Sequence, residues 1–110
     1  MADSLYVVFQ WSVRPEDGPK CDEQLAAIVE HIRAEHPEIK GTKAYKQWVG
    51  PMPRRAYTWM EEYESFTKID EGTMTPACLE AWQPVEAMAQ DGTFHASVWL
   101  DTPENLSLTR

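Results

Sequence analysis

Hydrophobic residues gather into four short runs along this chain: YVVFQWSV (6–13), KAYKQWV (43–49), RAYTWMEEY (55–63) and TFHASVWL (93–100). Each mixes aromatic and β-branched residues, which suit a pleated, half-buried surface, and each predicts a strand. The expected strands cover 5–13, 39–49, 54–63 and 93–100. After the first run, Cys21, Leu25, Ile28, Val29 and Ile32 recur at helical spacing and predict a helix over about 19–36. Asp17 is its expected cap, and Pro37 ends it by pushing His36 out of the helical region. After the third run, Cys78, Ala81, Trp82, Val85 and Met88 mark another helix, opened by Thr75 as cap and Pro76 at the first position. Pro84 falls inside that pattern and is expected to kink the helix or end its first segment. A short helical turn, capped by Ser65 and stopped by Gly72, is expected before it. GPMP (50–53) links the second and third strands into an antiparallel hairpin, and its two prolines argue against a two-residue turn.

The order β-α-β-β-α-β with right-handed crossovers gives a four-stranded antiparallel sheet with the helices on one face, an α+β ferredoxin-like unit. Strand one places Leu5, Val7, Phe9, Trp11 and Val13 on one side and Tyr6, Val8, Gln10 and Ser12 on the other. Strand three divides into Arg55, Tyr57, Trp59, Glu61 and Tyr63 against Ala56, Thr58, Met60 and Glu62. Both faces therefore carry apolar area, and burying one Val, Phe or Trp is worth roughly 1.5–3 kcal/mol. One face takes the helices. The other calls for a second sheet, and a homodimer is the economical way to supply it.

At 110 residues the chain reads as one domain, with its core in 5–100 and a polar tail at 101–110. A net charge of −8 argues against electrostatic binding to nucleic acid or to an anionic membrane. Cys21 and Cys78 stand on different predicted helices and form no CxxC, so free thiols are expected and a zinc site is not. The start MADSLYVVFQ lacks a basic leader and no apolar stretch approaches a membrane span, which points to the cytoplasm. Five tryptophans in so short a chain suggest that some line a cavity or an interface, since a buried indole N–H needs a partner.

The element order, SVRPEDG (12–18) after the first strand and EEYESFTKIDEG (61–72) after the third make residues 5–100 resemble the dimeric α/β-barrel superfamily. Within it the chain is most similar to the antibiotic-biosynthesis-monooxygenase branch, where an acidic-Ser-aromatic stretch also leads into the second helix. The resemblance implies paired ferredoxin-like subunits with a ligand pocket between sheet and helices. It implies chemistry on small aromatic or polyketide-like molecules without a cofactor. Haem-degrading members draw an iron ligand from a histidine on the second helix, which here carries none, so haem binding is not expected.

Gln10, an amide in an apolar strand that matches a polar amide of that branch, must satisfy its hydrogen bonds or hold a ligand. Tyr57, Trp59, Glu61 and Tyr63 share one face of strand three. Together with Gln10 and Trp82 they are expected to form an aromatic pocket in which a planar phenol stacks on Trp59 and a desolvated Glu61 removes a proton. Their alternative role is core or dimer interface, with Glu61 paired to Arg54 or Arg55. His95 is the other candidate base, on a strand face shared with Ser97 and Trp99. His31 and His36 stand five apart, which is not the i, i+4 spacing of a ligand pair on one helix face. Cys78 near a helix start has the position of a nucleophile but the surroundings of a buried, inert thiol. The reading drawn from these residues is a small-molecule-handling homodimer and cofactor-independent monooxygenase, in which Glu61 or His95 takes the substrate proton and Gln10, Tyr57 and Tyr63 hold its oxygens. Its alternatives are a non-catalytic binding or stress-responsive dimer, and an isomerase or cyclase that would set His36 or His95 beside a carboxylate.

Overall fold

A computed structural model describes residues 4–48, 55–72, 75–108 and 110. Its strands are β1 (Leu5–Val13), β2 (Ile39–Lys46), β3 (Arg55–Tyr63) and β4 (His95–Leu100). Its helices are α1 (Gly18–Glu35), α2 (Phe66–Glu71) and α3 (Pro76–Met88). The sheet order is β2-β3-β1-β4 with every neighbouring pair antiparallel. Because β3 lies between β1 and β2, and β1 between β3 and β4, each strand–helix–strand unit crosses over a neighbour, which is the ferredoxin-like arrangement. The hairpin residues 50–53, Arg54 and the end of the predicted second strand at 49 lie outside the described residues.

Packing follows the alternation of the strands. Leu5, Val7, Trp11 and Val13 from β1, and Tyr57, Trp59 and Tyr63 from β3, bury against Cys21, Leu25, Ile28 and Ile32 of α1 and Cys78, Trp82 and Val85 of α3. Val29, Ala81 and Met88 border this core. Thr75 caps α3, its hydroxyl accepting from the Cys78 N–H at 3.3 Å. Asp17 precedes α1, but its carboxylate turns to the Arg14 guanidinium at 3.1 Å and makes no capping bond. Likewise Ser65 stands at the start of α2 without a side-chain cap.

Two boundaries depart from expectation. Pro84 neither breaks nor ends α3, which runs on to Met88. Pro84 is exposed, while Trp82 and Val85 on either side of it are buried, so sheet contacts carry the helix across the one missing N–H. The last strand begins at His95 and not at Thr93, because residues 90–93 form a turn docked on the end of β1. There the Ser12 N–H donates to Thr93 Oγ1 at 3.1 Å, the Gln90 N–H donates to the Ser12 carbonyl at 2.8 Å, and Gly92 takes a φ of 75°.

The helix-free face carries Tyr6, Val8, Gln10, Thr58, Met60, Tyr45, His95, Ser97 and Trp99. Val8 is buried among its neighbours, whereas Trp99 is 56% and Tyr45 53% exposed. Val98 and Leu100 on the other side of β4, and Leu106 and Leu108 in the tail, are exposed as well. Among the described residues no helix is long and apolar enough to cross a membrane.

Candidate functional site

Side chains two apart on a strand stand side by side on one face, and this places Glu61 between Trp59 and Tyr63. The Trp59 indole Nε1–H donates to one carboxylate oxygen at 2.9 Å, and the Tyr63 hydroxyl donates to the other at 2.9 Å. Glu61 has no exposed surface. These donors answer what a buried carboxylate needs, and hydrogen bonds to a charged group are the stronger kind. Arg55, on the same strand face, stands six residues from Glu61 and lies against Gly18 at the start of α1.

Aromatic rings surround this carboxylate on one side. Trp82 from α3 meets Phe9, Trp59 and Trp11 edge-on, with centroids 4.9, 5.2 and 5.7 Å away. Its buried indole Nε1 has no hydrogen-bond partner among the described residues. Above Tyr63 lies Gly72, where a Cβ would stand 2.6 Å from the tyrosine oxygen, so only glycine lets the chain pass this close. Cys78 completes the cover. Burial first, then the negative charge of Glu61 and Glu38, pushes its thiol up to about 12. Both cysteines are buried and free, and burial also raises the Cys21 thiol. The buried, inert character expected of Cys78 agrees with this.

Tyr57 shares the face but not the role expected of it. It stacks on Trp11 at 5.4 Å, and its hydroxyl is committed to α1, donating towards Asp22 at 2.7 Å and the Gly18 carbonyl at 3.2 Å. Burial foremost, and the bond to Asp22 next, raise its hydroxyl well above the ordinary range. At Asp22 burial works upward, but hydrogen bonds from Lys46 and Tyr57 outweigh it and hold the carboxyl low. Tyr57 thus ties α1 to the sheet.

Gln10 and His95 do not join Glu61. They are Cα partners across β1 and β4, and Gln10 also pairs with Thr58, so both lie on the helix-free face. Both are exposed, so the buried amide expected at Gln10 is not found. Gln10 borders a cavity of about 460 Å³ with Tyr45, Thr58 and Thr93 at one end of that face. Glu61, Trp59, Tyr63 and Trp82 are therefore brought together, while His95, the alternative base, lies across the sheet from Glu61.

His31 and His36 do meet, against expectation. His36 has left the helix (φ −130°, ψ 70°), and its ring folds back so that the two Nε2 atoms stand 3.0 Å apart. Its Nδ1 lies 2.9 Å from the Glu38 carboxylate. Helical spacing does not apply across a helix end, which is why residue separation hid this contact. Among the described residues no group of three or more His, Cys, Asp or Glu side chains is placed to hold a metal ion.

No protein-family model and no curated protein matches the chain. Solved structures do resemble it. A provisionally assigned antibiotic biosynthesis monooxygenase from Nitrosomonas europaea superposes with a TM-score of 0.72 at 12% identity, over 92% of each chain. A dimeric ferredoxin-like protein of unknown function from Thermobifida fusca gives 0.68 at 12% identity, over 91% of this chain and 92% of that one. A hydroxynitrile lyase from Passiflora edulis gives 0.71 at 12% identity, over 93% and 96%. Likeness at such identities defines the fold alone: this chain has the ferredoxin-like α+β fold.

Proposed function

We propose that this chain is one subunit of a homodimer that oxygenates a small aromatic or polyketide-like molecule without a cofactor. The observation that carries it is the enclosed Glu61 carboxylate, held by Trp59 and Tyr63 under the aromatic wall of Phe9, Trp59 and Trp82. A phenolic substrate stacks in place of part of that wall, and the unpartnered Trp82 N–H offers its ring oxygen a donor. Glu61 takes the proton from the substrate carbon, with water excluded by the rings. The carbanion passes its electrons to dioxygen. One oxygen atom stays on that carbon as a carbonyl and the other leaves as water. Glu61 is enclosed, so entry requires buried side chains such as Trp82 to give way. The fold neighbour assigned as a monooxygenase supports the reaction class, and the neighbour described as dimeric supports the assembly.

Dimerisation also follows from the helix-free face, where Tyr45 and Trp99 are left in solvent. Oxygen uptake with polycyclic phenols is expected for the wild type and lost in Glu61→Gln. Turnover unchanged by that substitution removes Glu61 from the reaction. A specific feature favours a second reading, a binding protein without turnover: Trp59 and Trp82 pack edge to face 5.2 Å apart beside Glu61, while a separate cavity of about 460 Å³ lies beside Gln10 and Tyr45. Saturable quenching of tryptophan fluorescence by such phenols, without oxygen uptake, identifies that case.

A further inference from the structure

The histidine pair at the end of α1 lies apart from Glu61 and opens on a different cavity. That cavity, about 450 Å³, is bordered by His31, His36, Glu35, Glu38, Glu71 and the first turn of α3. His36 is 6% exposed, and both its ring nitrogens are engaged: Nδ1 with Glu38 at 2.9 Å and Nε2 with His31 Nε2 at 3.0 Å. A carboxylate only accepts, so a neutral His36 carries its proton on Nδ1 and leaves its Nε2 as a lone pair. Contact between two imidazole nitrogens then requires His31 to donate from its own Nε2. The remaining nitrogen, His31 Nδ1, is therefore a lone pair, and it has no hydrogen-bond partner among the described residues.

We propose that His31 is a general base serving this cavity, with His36 and Glu38 as positioning residues that fix its tautomer. This is the logic of an acidic residue behind a working histidine, extended by one imidazole. The step is a proton transfer. A proton leaves the bound molecule for His31 Nδ1, His31 keeps its Nε2–H, and the new imidazolium charge is stabilised through His36 by Glu38. The cavity wall decides the ligand class. Glu35, Glu38 and Glu71 border the cavity, and Lys68, which pairs with Glu71 at 3.2 Å, does not, so negative charge predominates. The ligand is a small molecule bearing an ammonium group, drawn by these carboxylates and deprotonated by His31. An anion is excluded by the same charge.

The test uses diethyl pyrocarbonate, which attacks imidazole lone pairs, with the modified histidines located by mass spectrometry. N-acetylhistidine in the same solution is the reference, since His95 lies on the helix-free face assigned to the dimer. His31 is expected to react faster than this free imidazole although it is partly buried. Glu38→Gln should slow His31 about tenfold, the lower end of what loss of a carboxylate behind a working histidine costs, and leave N-acetylhistidine unchanged. Nitrogen-15 NMR on the wild type, which needs no variant, should show His31 as the Nε2–H and His36 as the Nδ1–H tautomer. Benzyltrimethylammonium should protect His31 where benzoate does not. A His31 no faster than N-acetylhistidine, the opposite tautomer, an unchanged ratio in Glu38→Gln, or equal protection by benzoate overturns the proposal. Glu61→Gln should not alter His31 reactivity, so failure here leaves the Glu61 proposal standing, and the reverse holds.

Discussion

Replacing Gly72 by alanine should be the most damaging single methyl that can be added near Glu61. The new Cβ would stand 2.6 Å from the Tyr63 oxygen, 2.8 Å from Cε1 and 3.1 Å from Cζ. Tyr63 has no exposed surface, so its ring has no solvent into which to retreat. Its hydroxyl is also tied to Glu61 at 2.9 Å, and moving the ring stretches that bond. Overpacking a core costs about 1–3 kcal/mol. Loss of a hydrogen bond to a charged group costs about 1.5–3 kcal/mol. The ring can trade one against the other, so the expected total is about 2–4 kcal/mol, a large share of the ~5–15 kcal/mol that holds a domain folded. With a urea slope of about 2 kcal/mol/M, the unfolding midpoint falls by about 1–2 M. Gly41→Ala is the matched control: nothing lies within 4 Å of its Cβ position, and its effect should stay within about 0.5 kcal/mol. A Gly72→Ala midpoint no lower than that of Gly41→Ala would show that Tyr63 is not clamped between Gly72 and Glu61.

Removing the α3 cap with Thr75→Ala should cost about 1 kcal/mol in thermal or urea unfolding followed by circular dichroism. Cys78 links stability to alkaline pH. Its thiol, ordinarily at 9.0, is pushed up to about 12 in the fold, so the native state holds its proton where the unfolded chain has lost it. This contribution is complete below pH 9 and declines as pH rises towards 12, and Cys78→Ala should flatten that part of the pH–stability curve. Met60→Glu places a charge beside Val8 on the helix-free face. An uncompensated buried charge costs about 3–5 kcal/mol, so sedimentation should show dimer dissociation strengthened more than a hundredfold with the circular dichroism spectrum unchanged. A dimer as tight as the wild type would place the interface elsewhere.

Strand alternation made both faces of β1 and β3 legible, and the residues flanking Glu61 at 59 and 63 could be named from W-x-E-x-Y alone. Alternation within a strand does not say how two strands align. Pairing of Phe9 with Trp59, and so of Gln10 with Thr58, is set by register, and it puts Gln10 on the face away from Glu61. The same register sets His95 beside Gln10, across the sheet from Glu61. The Tyr57 hydroxyl looked available because its partners, Asp22 and the Gly18 carbonyl, are distant in sequence. His36 was misplaced through helical spacing that ends one residue before it. Pro84 obeyed tertiary packing over local propensity.

In the proposed reaction the Glu61 carboxylate removes a substrate proton so that dioxygen can add to carbon. Turnover of a polycyclic phenol under ¹⁸O₂, with the product weighed by mass spectrometry, tests it most directly. One ¹⁸O atom per product molecule is expected from the wild type, and no product from Glu61→Gln under the same conditions. A product without ¹⁸O, or a Glu61→Gln variant that incorporates it at the wild-type rate, would rule this reaction out.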